Sequence, residues 1–288
     1  MKPVAAAIAV FTLLGACADR GAEAAPPEPK AAPTDADSLL ESAIAGAQRS
    51  PEEKARDQWR HPKETLMFFG VEPSMTVVEI WPGGGWYTKI LAPYLKSGGG
   101  VYYAAQRDPA TSARAAEAVQ KFKDAYADAS LFGEVRVSVL GGESEIAPEG
   151  TADVVLTFRN VHNWMGNGGG DAAANFKAFY RALKPGGVLG VVEHRANEDA
   201  PDDLSSGYVK ETTVKALAAA AGFEFLESSE INANPADTKD HPFGVWTLPP
   251  VRRSSQSQGQ EDPNFDRAKY DAIGESDRMT LKFVKPKS

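Results

Sequence analysis

The sequence predicts an α/β fold, with a mostly parallel sheet covered by helices on both faces. Three observations carry this. From residue 77 onward, apolar β-branched runs alternate with helix-forming stretches. The run at 152–158, ADVVLTF, is almost wholly apolar, as a strand buried on both faces must be. The stretch VVEIWPGGGWYTKIL at 77–91 joins a short strand to a helix through Gly83, Gly84 and Gly85. Such a turn lets backbone N–H groups and a helix N-terminus face a ligand, although a glycine run alone serves equally well as a plain connection.

The chain has 288 residues, enough for one large or two small domains. Its formal charge of −8 argues against a nucleic-acid surface. Lys2 and the apolar stretch 4–14 read as a signal peptide, too short to span a bilayer. Cys17 is the single cysteine, so the mature body forms no internal disulfide. Leu14-Gly15-Ala16-Cys17 resembles the bacterial lipoprotein signal, in which the cysteine is lipidated and becomes the new N-terminus. A plain signal peptide with an incidental cysteine is the alternative. The expectation is a signal peptide over 1–16 and a periplasmic-side envelope lipoprotein, membrane-bound through lipid at Cys17. Ala18 points to the outer membrane.

Residues 17–49 begin as an Ala/Pro-rich tether that cannot bury a core, followed by a short helix at 39–47. The folded body is expected over 50–288. Ser50-Pro51-Glu52-Glu53 is a helix start, His61-Pro62 breaks that helix near Arg60, and another helix follows to Gly70. Strands are expected at 77–80, 101–105, 135–140, 152–158, 188–192, from 223, and at 278–284. Helices are expected at 88–95, 108–127, 175–183 and 209–221. Between the last two strands lies an excursion, 232–276, without clear periodicity. Connections of that length are usually functional or disordered; Ser254 to Gln260 reads as disordered, and the excursion as a whole reads as a lid.

Four pieces in this order carry a resemblance: Glu79-Ile80-Trp81-Pro82-Gly83-Gly84-Gly85, Asn160-Val161-His162-Asn163-Trp164 after the fourth strand, Leu183-Lys184-Pro185-Gly186-Gly187, and Ala220-Ala221-Gly222-Phe223. Together they resemble the class I S-adenosylmethionine-dependent methyltransferases over about 50–288, within a branch of bacterial members found in exported form. The resemblance implies a Rossmann-like seven-stranded sheet ordered 3-2-1-4-5-7-6. It also implies S-adenosylmethionine as cofactor and methyl transfer to an O, N or S nucleophile on a small molecule. By position, Glu79 would reach the methionine amino group through water, Gly83, Gly84 and Gly85 would underlie ribose and methionine, and Glu143 would take the adenine amino group. Asn160 would orient cofactor or substrate.

Two positions depart from the pattern. Trp81 stands where the first glycine of the motif is usual. Gln106 stands where an acid normally accepts both ribose hydroxyls, and it can bind one hydroxyl without charge assistance, weakening cofactor by roughly 1–2 kcal/mol. Asp108 is a possible substitute.

The histidines and tryptophans concentrate near strand ends and the excursion. His162 is the expected general base, being able to titrate near neutrality. Trp59, His61, Trp81, Trp86, Trp164, His194, His241 and Trp246 are expected to join it around one rim. Such a rim would hold a sulfonium by cation–π attraction or stack a planar substrate. The plainer alternative is that large amphipathic residues fill loops. No compact HxxxH-type spacing supports a metal site built from the histidines with Asp237 and Asp240, so no metal is expected. Two rival readings stay open: a non-catalytic envelope binding module that keeps this fold, and a nicotinamide-dependent oxidoreductase. Oligomeric state is left open.

Overall fold

The computed structural model describes residues 1, 35–141, 145–166, 171–201, 204–257 and 259–287. Cys17, Ala18 and Glu143 lie outside the described residues, and so does the expected signal peptide beyond Met1. Strands β1 (Thr76–Ile80), β2 (Val101–Arg107), β3 (Val135–Leu140), β4 (Ala152–Phe158), β5 (Leu183–His194), β6 (Glu224–Ser229) and β7 (Arg278–Val284) form one sheet. Their order is β3-β2-β1-β4-β5-β7-β6, and β7 runs antiparallel to both neighbours. The expected strand order is met in full.

The helices are α1 (Asp35–Ala45), α2 (Pro51–Lys54), α3 (Asp57–Arg60), α4 (Pro62–Phe68), α5 (Thr88–Gly98), α6 (Ala113–Ala125), α7 (Ala129–Phe132), α8 (Val161–Met165), α9 (Ala172–Ala182), α10 (Glu211–Ala221) and α11 (Arg267–Ile273). Alternation along β1 and β4 divides the core into two faces. Val78, Ile80 and Val155 pack with Phe176 and Phe179 of α9 and Val214 and Ala218 of α10. Val77, Val154 and Leu156 pack on the other face with Leu66 of α4, Ile90 and Leu91 of α5, and Phe122 of α6.

Several boundaries shift for identifiable reasons. Ser50 caps α2 in a full capping box with Glu53, but α2 closes within four residues and α3 follows as a separate turn. The helix expected over 108–127 is broken at its start, where Asp108 caps a short 3₁₀ turn and Ser112 caps α6. Strand β5 begins at Leu183 rather than 188, because Leu183 already pairs with Ala152 and the register shifts before Val188 meets Val154. The folded body does not begin at residue 50. Helix α1, expected as the end of a tether, buries Leu40 and Ala43 in the core face that α4 and α5 share.

The excursion between β6 and β7 is tied into the core along its first half. Asn232 donates to Thr65 Oγ1 at 3.0 Å and Thr280 Oγ1 at 2.9 Å, and Asn234 donates to two backbone carbonyls, of Ile273 and Glu275. Asp237 accepts from Tyr208 Oη, His241 Nε2 and the Asp277 N–H. These bonds tie the first half of the excursion to the core at several points.

Because Leu40 is 1% exposed, Leu40→Ala should lower the unfolding free energy in urea by about 2–4 kcal/mol. A loss under about 0.5 kcal/mol, the size expected of a surface change, would return α1 to the tether.

Candidate functional site

A cavity of about 430 Å³ opens at the C-terminal edge of β1, β4 and β5, a size typical of small-molecule sites. The glycine turn after β1 forms one side. Arg56 and Arg60 of the α2–α3 region, the end of β4 through Asn160, and His162 of α8 form others. His194 closes the end of β5, and the excursion adds Trp246 and its neighbours.

The turn begins with backbone strain. Trp81 holds φ 45°, a left-handed conformation that costs a non-glycine residue about 1–2 kcal/mol. Three contacts hold it there: its N–H donates to Ala105 O at 2.8 Å, the Arg107 guanidinium lies 3.9 Å over its ring, and Trp164 meets it edge-on. Gly85 is needed for a packing reason, since a Cβ there would lie 1.8 Å from Tyr126 Oη. That hydroxyl donates to the carbonyls of Gly84 and Gly85 and fixes the turn. Gly83 and Gly84 have open space where a Cβ would be, and both line the cavity.

Glu79 lines the cavity but is 2% exposed, its Oε2 accepting from Thr88 Oγ1 at 3.0 Å and Tyr102 Oη at 2.5 Å. Burial pushes its carboxyl up from 4.5 to about 7, against the pull of Tyr102 and Thr88. Asn160 donates its amide to Ile80 O at 2.9 Å, which locks β4 to β1 and turns the rest of the amide toward the cavity it lines. Gln106 is buried with its Nε2 unpartnered, and it does not line the cavity. Asp108 accepts from the Ala110 N–H in its own cap.

His162 is oriented by Glu193. Glu193 is fully buried, and its carboxylate accepts from the N–H groups of Val161 at 2.5 Å and His194 at 2.8 Å, and from His162 Nδ1 at 2.9 Å. A carboxylate acceptor places the imidazole proton on Nδ1, leaving the Nε2 lone pair for the cavity. His194 bonds Ser276 Oγ through Nδ1. Burial, then coupling to His162 and to the Arg159 guanidinium, pushes His194 well below the usual histidine range. One donor atom from each of His162, Glu193 and His194 lies within 4.8 Å of the others, the grouping that sequence spacing gave no hint of. Both Glu193 oxygens already accept N–H donors, and neighbouring guanidinium groups oppose a cation.

The expected rim divides. Trp81, Trp86, His162, His194 and Trp246 line the cavity. Trp59, His61, Trp164 and His241 are not in its described lining. Trp59 packs on Gly274, His61 sits left-handed between α3 and α4, Trp164 is core beneath Trp81, and His241 is buried on Asp237. Trp86 already carries the guanidiniums of Arg49 and Arg60, each 4.7 Å from its ring, so its cation–π capacity is taken by the chain itself.

Sequence reasoning missed Glu193 and the arginines. A charged residue inside the apolar run Val191-Val192-Glu193 was a readable signal; Arg56, Arg60, Arg159 and Arg278 are too scattered to give one.

No family model and no curated protein matches the chain. Solved structures do. A putative sarcosine dimethylglycine methyltransferase from Galdieria sulphuraria aligns with TM-score 0.52 and 15% identity, over 82% of this chain and 86% of that one. The 4+2 cyclase SpnF aligns with TM-score 0.50 and 16% identity, over 88% and 94%. The fold is therefore the Rossmann-like methyltransferase fold, with its seven strands in the characteristic order.

Glu79 binds its proton more tightly folded than unfolded, so its contribution is full below pH 4.5 and is lost as pH rises through about 7. Glu79→Gln should therefore flatten the fall in stability across that window, removing at most about 3 kcal/mol of pH dependence. Parallel pH profiles of urea unfolding for the two proteins would refute the raised value.

Proposed function

We propose that this protein is an S-adenosylmethionine-dependent methyltransferase acting on a small molecule, with His162 as general base. The observation that carries the reading is the open Gly83–Gly84 surface facing the same cavity as His162. The residues present fit such a cofactor. Gly83 and Gly84 admit close approach of a ligand backbone, and Glu79 and Asn160 bring hydrogen-bonding groups to the same cavity. When bound, the cofactor supplies an electrophilic methyl group on a sulfonium. The chain's share is to hold the acceptor in line and to take its proton on His162 Nε2, with Glu193 stabilising the imidazolium that results. Neutral His194 beside it leaves His162 free of a second fixed charge on the same wall.

One observation favours a second reading, a binding module that keeps the fold. Gln106, in place of an acid, is buried with an unpartnered amide and offers the cavity nothing.

Calorimetry separates the two. S-adenosylmethionine and S-adenosylhomocysteine should both bind below roughly 100 micromolar, and silence at millimolar ligand ends the enzymatic reading. Gly84→Ala places a methyl in open space without backbone strain, so it should leave stability unchanged while weakening both ligands about ten-fold.

The compartment belongs to the same proposal: the enzyme sits at the bacterial envelope, held by lipid on Cys17. Cys17→Ser should release it from the membrane fraction, and unchanged fractionation removes the anchor.

A further inference from the structure

Arg56, Arg60 and Arg159 line one wall of the cavity, and with the buried Arg278 beside them four guanidinium groups outnumber the anions there. Glu275 accepts from Arg56 Nε at 2.6 Å, from Arg60 Nε at 2.9 Å and from Arg278. Burial alone would raise the Glu275 carboxyl, but Arg278, Arg60, Arg56 and Arg159 outweigh it and hold it well below the usual range. Arg159 is the fourth group. It stands at the end of β4 with φ 59°, another left-handed non-glycine position, held by its N–H on Val192 O at 2.7 Å. Arg159 lines the cavity, and its guanidinium has no hydrogen-bond acceptor or ion-pair partner among the described residues.

The imbalance is concrete. Arg56, Arg278 and Arg159 act on one another and on Arg60, and the carboxylates facing them are Glu275 and Glu193. Two positive charges remain. Arg56 Nη2 and Arg60 Nη2 are buried without a protein partner, and Arg60 as a whole is 3% exposed. Uncompensated buried guanidinium N–H groups are costly, and a strained backbone that keeps Arg159 among like charges adds to that cost. A ligand oxyanion relieves all of these at once, because the guanidinium fork matches carboxylate and phosphate oxygens.

We propose that this arginine wall is the seat of the methyl acceptor, and that the acceptor is a small molecule carrying a doubly charged oxyanion, either a phosphate ester or paired carboxylates. The assignment to an acceptor rests on the methyltransferase reading; the oxyanion seat does not. An anionic acceptor is also drawn toward a cationic donor in the same cavity, which aids their approach.

The test is calorimetry on the full chain with inorganic phosphate, malonate and acetate, comparing wild type with Arg159→Gln and Arg56→Gln. Phosphate or malonate should bind well ahead of acetate, and whichever is tighter identifies the oxyanion's source. Arg159→Gln should weaken the preferred dianion roughly ten-fold or more. Arg56→Gln, at a partly exposed position, should weaken it less and serves if Arg159→Gln does not fold. No binding by any anion, equal binding of acetate, or equal affinity in wild type and a folded variant overturns the seat. S-adenosylhomocysteine and 5′-methylthioadenosine, which lacks the amino-acid carboxylate, form the last arm. If Arg159→Gln weakens the former and spares the latter, the seat belongs to the cofactor carboxylate and the acceptor assignment fails. Failure of every nucleoside to bind while phosphate still does removes methyl transfer and leaves the oxyanion seat standing.

Discussion

Glu275 is the tie on which the cavity depends. It accepts from Arg56 and Arg60 near one end of the folded chain and from Arg278 near the other, across separations of up to 219 residues. Two of the arginines that line the cavity, Arg56 and Arg60, are held by that carboxylate. Removing it would leave buried like charges without a counterion, a loss on the order of 3–5 kcal/mol for a buried pair. The same contact sets the position of α3, whose Arg60 stacks on Trp86, and of the residue that precedes β7, which fixes where the excursion must end.

A second carboxylate, Glu193, organises the histidines in a different manner. Its oxygens are taken by backbone N–H groups and one imidazole, so it orients instead of neutralising. The cavity thus combines an imidazole oriented by a buried carboxylate, a group of guanidiniums and the glycine turn. Its aromatic groups are structural in a way their identity alone does not convey. Trp86 and Trp81 support arginines, and Tyr87 stacks on Phe158 at 3.6 Å to join α5 to β4.

Much of the fold was legible because its signals are local. Apolar runs, the Pro-Gly-Gly turn and the Gly222 cap each depend on a few adjacent residues, and their order sets the strand order. Cavity-lining positions were legible where one local element supplies them, as with Gly83, Gly84 and His162. Grouping every tryptophan and histidine at one rim failed for Trp164 and His241, because strand-end placement does not determine which way a side chain turns. Trp164 faces Phe179 in the core, and His241 turns to Asp237. Helix α1 was missed as part of the body because its burial rests on just Leu40 and Ala43, too short a pattern to outweigh the Ala/Pro-rich stretch before it.

The place of β7 between β5 and β6 has a consequence for how the molecule is made. Among the described residues strand β6 pairs with β7 alone, yet more than forty residues of chain separate them. During synthesis, β6 emerges with Phe225 and Leu226, which remain exposed in the folded protein, before the strand it pairs with. Strand β7 joins β6 to the sheet and brings Arg278 to Glu275. Sheet and arginine cluster are therefore completed together, by a strand made after the excursion.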